Sequence, residues 1–235
     1  MHNSIDTYLR GNKYPGRGIV LGRSEDGERA VVLYFITGRS ENTRNRLIEK
    51  MPGGIRTIAS DPSKLTDPSL VIYNAMRIYK GITIISNGVQ TDTIHAFLQN
   101  EWEFNAALFE WEFEPDPPIY TPRISGLVSR DGSYCLSILK TAEGDPACCY
   151  RHFFNYSSPR PGVGHFISTY KCDGNPPPSY EGEPITVNIT TADGLDAFAS
   201  SVWSALDDDN KVSLYAREID IATGESLDLI INKYE

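Results

Sequence analysis

Basic runs, long apolar runs and the familiar nucleophile motifs are all missing from this 235-residue chain. No stretch approaches 18 consecutive apolar residues, and the opening M-H-N-S-I-D-T-Y-L-R-G has no apolar signal core. A spanning helix and a secretory leader are therefore not expected, and the cytoplasm is the default compartment. Lys and Arg number 22 against 31 Asp and Glu, a formal charge of -9. No extended basic run could follow a duplex, so neither polymeric nucleic acid nor a membrane is an expected partner, whereas a local arginine pocket for a small anion is allowed. Only four cysteines occur, at Cys135, Cys148, Cys149 and Cys172, and four histidines are scattered at His2, His95, His152 and His165. No C-x-x-C pair or zinc-ligand spacing results, so reduced thiols and no metal are expected. Neither G-x-S-x-G nor the G-K-[ST] core of a phosphate loop is present.

What is present is enough apolar material for a substantial core, 40% of residues, in a length that suits one large domain. Thirteen tyrosines, nine phenylalanines and three tryptophans add large apolar surfaces with polar handles. These aromatics also permit a sizeable self-association interface, so a homo-oligomer is compatible with the composition.

Residues 18–23, G-I-V-L-G-R, and residues 30–36 read as two strands of an antiparallel hairpin. Residues 37–46, T-G-R-S-E-N-T-R-N-R, leave it as a polar, arginine-rich loop. Strands are expected over 55–59, 72–79 and 82–86. Helices are expected over 93–99 and 104–111, where apolar positions recur at three- and four-residue spacing. Residues 114–122, E-P-D-P-P-I-Y-T-P, are too proline-rich for a regular element and read as a domain boundary or a connector within one domain. Residues 124–128 and 134–139 flank S-R-D-G, the clearest hairpin, because D-G suits a tight turn. Further strands are expected over 148–156, 165–170, 185–189 and 212–219, with one more near the end, and a helix over 194–206. Residues 172–184, with four prolines, read as an extended surface loop. Hairpins around a central helical stretch favour an α+β fold over a doubly wound parallel sheet.

Several polar constellations could carry chemistry. Arg39, Ser40, Asn42, Arg44, Asn45 and Arg46 place guanidinium forks after a strand, suited to phosphate or carboxylate; the alternative is a solvated loop. In Tyr73-Asn74-x-x-Arg77, a strand would put Tyr73 and Arg77 on one face and Asn74 on the other, whereas a helix would let all three converge. Ser86-Asn87-Gly88 with Thr91-Asp92-Thr93 concentrates short polar groups between a strand end and a helix start, as a ligand cradle or as an N-G turn with a helix cap. Thr121-Pro122-Arg123 restrains the entry to a strand. Ser168-Thr169-Tyr170 and Tyr215-x-Arg217-Glu218 add polar strand ends, with an ion-pair network as the rival role for Arg217. Cys148 and His152 would meet only on a helix, and their surroundings read as strand. The set suggests binding, orientation and charge stabilisation in place of a covalent triad.

Taken in order, these motifs resemble the archaeal-type inosine monophosphate cyclohydrolase family. The resemblance runs through G-R at Gly16-Arg17, G-R-S at 38–40, N-R at 45–46, Y-N-x-x-R-I at 73–78 and S-N-G-x-x-T-D-T-I at 86–94. It continues through T-P-R-I at 121–124, I-S-T-Y at 167–170 and A-R-E at 216–218. It implies a four-layer αββα sandwich of the N-terminal-nucleophile hydrolase type, without such a nucleophile; Met1-His2 offers none. It implies a single domain with a short N-terminal extension, since the family-like pattern begins only at Gly16. It implies closure of 5-formamidoimidazole-4-carboxamide ribotide to inosine monophosphate and water, with the ribotide as partner and no cofactor.

Under that resemblance Tyr73, Asn74, Arg77, Asn87, Asp92 and Arg123 are the expected catalytic residues. Arg17, Arg39, Ser40, Arg44, Arg46, Ser86, Thr121, Tyr170 and Arg217 are the expected substrate-binding set, with the 5′-phosphate on Arg39, Arg44 or Arg46. The chain departs from the family where Glu41-Asn42-Thr43-Arg44 replaces an aromatic-proline arrangement, and where the loops at 159–164 and after Cys172 are enlarged. A noncatalytic purine-nucleotide binder and an amide hydrolase on the same scaffold are the alternative readings.

Overall fold

The computed structural model describes residues 3–234; the expectation about Met1 and His2 lies outside the described residues. The fold is α+β and is built on two seven-stranded sheets. The first contains β1 (Asn3–Ser4), β2 (Arg17–Arg23), β3 (Arg29–Thr37), β11 (Val163–Ser168), β12 (Ile185–Asn188), β13 (Lys211–Asp220) and β14 (Ser226–Asn232), in the order β1-β12-β11-β2-β3-β13-β14. The second contains β4 (Leu47–Met51), β5 (Gly54–Ile58), β6 (Asn74–Tyr79), β7 (Ile82–Ser86), β8 (Arg123–Val128), β9 (Tyr134–Ala142) and β10 (Asp145–Tyr156), in the order β10-β9-β8-β7-β6-β5-β4. All neighbouring strands pair antiparallel except β1 with β12.

Strand alternation divides the apolar residues between separate cores. Ile19, Leu21, Val32 and Tyr34 of the first sheet meet Ile48, Ile55, Ile85, Ile124 and Ile138 of the second. The opposite face of the first sheet, including Val20, Val31 and Leu33, packs on α1 (Asp6–Leu9) and α5 (Leu195–Ala205) through Leu9, Phe198 and Val202. The opposite face of the second, with Ile84, Leu127 and Leu139, packs on α3 (Gln90–Gln99) and α4 (Phe104–Phe109).

The expected hairpins form: β2 with β3, and β8 with β9 around a turn in which Gly132 has φ 76°. Residues 172–184 hold no regular element apart from an isolated bridge between Tyr170 and Ser179. Three details differ from expectation. The arginine-rich loop contains one helical turn, α2 (Glu41–Arg44), because Ser40 and Thr43 form a capping box. Residues 47–51, L-I-E-K-M, form the unexpected strand β4 through pairing with β5. In β6 the register jumps from Ile55 opposite Met76 to Arg56 opposite Asn74, a bulge at Ala75. That bulge resets strand parity, so Asn74 and Arg77 both reach Asp92 of α3 while Tyr73, Ala75 and Met76 join the core between the sheets.

Candidate active site

Because neighbours run antiparallel, β4, β6 and β8 all begin at one end of their sheet. Arg46 immediately precedes β4, Tyr73 precedes β6 and Arg123 opens β8, so residues far apart in the chain start alternate strands at the same end of the sheet. Arg17 opens β2 of the other sheet and reaches this end through Glu114.

The centre is a buried ionic group. Arg17 Nη2 donates to Glu114 Oε1 at 2.9 Å, and Arg123 Nη1 lies 4.0 Å from the same oxygen. All three side chains are buried. Arg123 also stacks on Trp111, 4.7 Å from the ring centroid. Burial pushes the Glu114 carboxyl above its ordinary range, and Arg17 and Arg123 pull it back only in part. Burial likewise lowers Arg123. For Arg17 burial opposes the charge, but Glu114 and the surrounding tyrosines outweigh it, so the guanidinium is held firmly protonated. Arg17 and Arg123 each retain an Nε–H without a protein partner.

Asn87 and Gln90 orient this group. Asn87 Nδ2 donates to Pro122 O at 3.0 Å and to Glu114 Oε1 at 3.4 Å, while its Oδ1 accepts from Ile124 N at 2.8 Å and Gln90 Nε2 at 3.1 Å. Its amide is thus occupied on both ends by the protein. Gln90 Oε1 accepts from Arg123 Nη1 at 3.0 Å. Gly88 is required above this bond: a Cβ there would lie 2.7 Å from both Arg123 Nη1 and Gln90 Oε1. Ser86 Oγ pairs with Thr91 Oγ1 at 2.5 Å, so it holds the turn together.

Hydroxyls surround the ionic group. Tyr34 and Tyr73, both buried, pair through their hydroxyls at 2.7 Å. Thr121 Oγ1 pairs with Tyr170 OH at 2.7 Å and donates to Asp116 Oδ2 at 2.5 Å. Tyr170 stacks on Tyr14, centroids 5.3 Å apart, and Arg39 lies 4.4 Å over the Tyr14 ring. Burial raises the Tyr34 and Tyr170 phenols, so both remain protonated donors.

The expected residues therefore divide. Arg17, Tyr73, Asn87, Thr121, Arg123 and Tyr170 are brought together, with Ser86 behind Asn87. Asn74, Arg77 and Asp92 form a separate group on the helix side of the second sheet: Arg77 Nη1 and Asn74 Nδ2 both donate to Asp92 Oδ1 at 3.0 Å. Asp92 is half exposed there, and the group ties α3 to β6 at a worth of about 1 kcal/mol or less. Arg39 sits at the rim and bonds Asp173 Oδ1 and Gly174 O, both at 2.6 Å. Ser40 caps α2, and Arg44 donates to Gly38 O and Asn210 Oδ1. Arg217 pairs with Asp228 at 2.9 Å; opposite Val32, it lies five residues back along β3 from Thr37, away from the polar end. Sequence reasoning missed Glu114, Gln90, Tyr34, Trp111 and Asp116. Glu114 and Asp116 lie in the proline-rich connector, where no periodicity marks them, and Gln90 is hidden between two more conspicuous polar triplets.

Fold and site together define an α+β protein with a buried, arginine-rich polar centre where two sheets meet. The chain belongs to the family described as IMP cyclohydrolase-like protein, whose model matches residues 14–225. An IMP cyclohydrolase of Methanopyrus kandleri is 30% identical over 161 residues, covering 67% of this chain and 75% of the relative. An IMP cyclohydrolase of Methanosphaera stadtmanae is 26% identical over 162 residues, 67% of this chain and 74% of the relative. Among the described residues no helix is long and apolar enough to cross a membrane.

Proposed function

We propose that this protein is an IMP cyclohydrolase of purine biosynthesis, closing 5-formamidoimidazole-4-carboxamide ribotide to inosine monophosphate with release of water. The observation that carries the reading is the buried Arg17–Glu114–Arg123 group, oriented by Asn87 and Gln90, in a member of this family. The two sheets with helices on their outer faces support the four-layer αββα arrangement of N-terminal-nucleophile hydrolases. We read the chain as one domain with a short N-terminal extension. A charged ribotide substrate supports the cytoplasm as its compartment.

Ring closure joins the carboxamide nitrogen to the formyl carbon. The nitrogen is a weak nucleophile and must lose a proton; the formyl oxygen gains negative charge and then leaves as water. Arg17 and Arg123 stabilise that oxygen, and their unpartnered Nε–H groups are the donors available for it. Glu114 takes one proton from the carboxamide nitrogen and passes it to the oxygen; as the C–O bond breaks, the formamide N–H gives up the second proton of the water and the ring C=N bond forms, transfers suited to a carboxyl raised above its ordinary range. The Tyr34–Tyr73 hydroxyl pair is the second donor. Asn87 acts by fixing Glu114 and the start of β8.

Incubating purified protein with the ribotide and following inosine monophosphate tests this directly. Wild type converts it, and Asn87→Ala lowers kcat about 100-fold. A folded wild type that binds the ribotide without forming product defeats the reading in favour of a noncatalytic nucleotide binder.

A further inference from the structure

An open sheet ends in two strands with unpaired backbone groups, so this pair of sheets has edges at β1, β14, β10 and β4. Three of them are blunted. β1 comprises two described residues. β4 is covered by the side chain of Asn232 in β14, which accepts from Ile48 N at 2.9 Å and donates to Ile48 O at 3.0 Å. β14 carries Asp228, turned inward to Tyr215 and Arg217. Short length, a covered backbone and an inward charge are the usual protections of an edge.

β10 lacks all three. It has 12 residues, and its regular ladder with β9 runs over 149–156, beyond the irregularity between Asp145 and Cys149. That stretch, C-Y-R-H-F-F-N-Y, contains no Lys, Pro, Asp or Glu. Outside the ladder none of its backbone groups bonds another backbone group among the described residues. Arg151 is already engaged, donating to Trp111 O at 2.8 Å and lying 3.7 Å from Glu112. Aromatic rings flank the edge on both faces. On one, His152 lies between Tyr150 and Phe154, with centroids 5.9 and 6.3 Å away. On the other, Phe153 meets Phe109 of α4 at 5.9 Å. Tyr150 is 42% exposed and Phe109 62%, so apolar surface beside the bare edge faces solvent.

An antiparallel strand laid on this edge continues the ladder, and β10 of a second copy has the sequence for it. Residues opposite one another in a ladder share a face, so a two-fold axis perpendicular to the sheet must pass through a residue position. An axis at Arg151 sets two guanidiniums against each other, and one at Tyr150 draws the irregular start of β10 into the pairing. An axis at His152 or Phe153 brings Tyr150 against Phe154 or Tyr156 of the other copy. It brings Arg151 against Phe153 or Asn155, and no like charges are opposed. Burial and the nearby Lys140 make His152 less basic than a free imidazole, so it is uncharged at neutral pH.

We propose that two copies of this chain pair β10 to β10, antiparallel, joining their second sheets into one continuous sheet with the two-fold axis beside His152. The pairing satisfies the bare edge and covers the aromatic flanks together. It concerns assembly and stands apart from the ring-closure reading.

Sedimentation equilibrium of the full chain tests it. At about 50 µM wild type sediments as two copies of the 26.2 kDa chain. His152→Glu and His152→Lys each place like charges beside the axis and weaken self-association about 30-fold or more, with unchanged circular dichroism; an equimolar mixture of the two restores the dimer. A monomeric wild type at that concentration overturns the proposal, whether or not the edge takes up a foreign strand. A dimer that both variants leave intact overturns it too, as does a mixture that stays monomeric. Should the variants not fold, amide exchange of wild type gives a second readout. Raising the concentration from about 1 to 100 µM slows exchange within 149–156 about tenfold or more, and exchange there that ignores concentration overturns the proposal.

Discussion

Glu114 Oε1 lies 2.9 Å from one guanidinium and 4.0 Å from another, yet burial still dominates its titration and raises it. The sign follows: a base must be ionised, and a carboxyl displaced upward from 4.5 reaches that form only at higher pH. The acid limb of kcat/KM is therefore expected above pH 4.5 and should vanish in Glu114→Gln, checked by a pH–rate profile of both proteins. The same substitution strips Arg17 of its counter-charge, so chemical denaturation should show a loss of about 3–5 kcal/mol. A limb that persists in the variant would assign the proton to another group. Glu114 also shows why residue-level reading of the sequence was incomplete: E-P-D-P-P has the composition of a connector, and only the return of Thr121 to bond Asp116 folds that connector over Arg17.

At the scale of elements, the turn from β7 into α3 carries the site, and its glycine is the tightest point. Gly88→Ala would force its Cβ against Arg123 Nη1 and Gln90 Oε1, both at 2.7 Å. The expected outcome is a stability loss of about 1–3 kcal/mol in urea titration together with a fall in kcat, since the Arg123–Gln90 bond must move. Unchanged turnover would show that this bond does not position Arg123. Local chemistry made much of this level legible: D-G marked the β8–β9 hairpin, and the spacing of Leu195, Phe198, Ala199 and Val202 marked α5. The short strand β4 was not legible, because L-I-E-K-M becomes a strand through β5 beside it. Nor was the partnership of Asn74 with Arg77, which depends on a bulge opposite Ile55 and Arg56.

At the scale of the whole molecule, a chain of net charge -9 holds an arginine-rich centre. For the ribotide of the proposed reaction, the long-range field of such a chain is repulsive and buried arginines would attract it at contact, where salt screens little. Raising ionic strength from roughly 0.01 to 0.15 M should leave kcat/KM of ring closure flat or raise it less than about threefold. A steep fall would instead indicate an exposed cationic approach. The sequence by itself determined the α+β class, the main hairpins, the absence of a long apolar span and an ordered set of polar motifs, because each depends on residues near one another in the chain. Tertiary structure alone decided which motifs meet. Antiparallel pairing brings the starts of β4, β6 and β8 to one end, and Glu114 links Arg17 of the other sheet to it. The same pairing carries Arg217 away from that end, and a single bulge turns Asn74 and Arg77 outward to Asp92. Strand register and burial are properties of partners distant in sequence, and they set which arginines have a counter-charge.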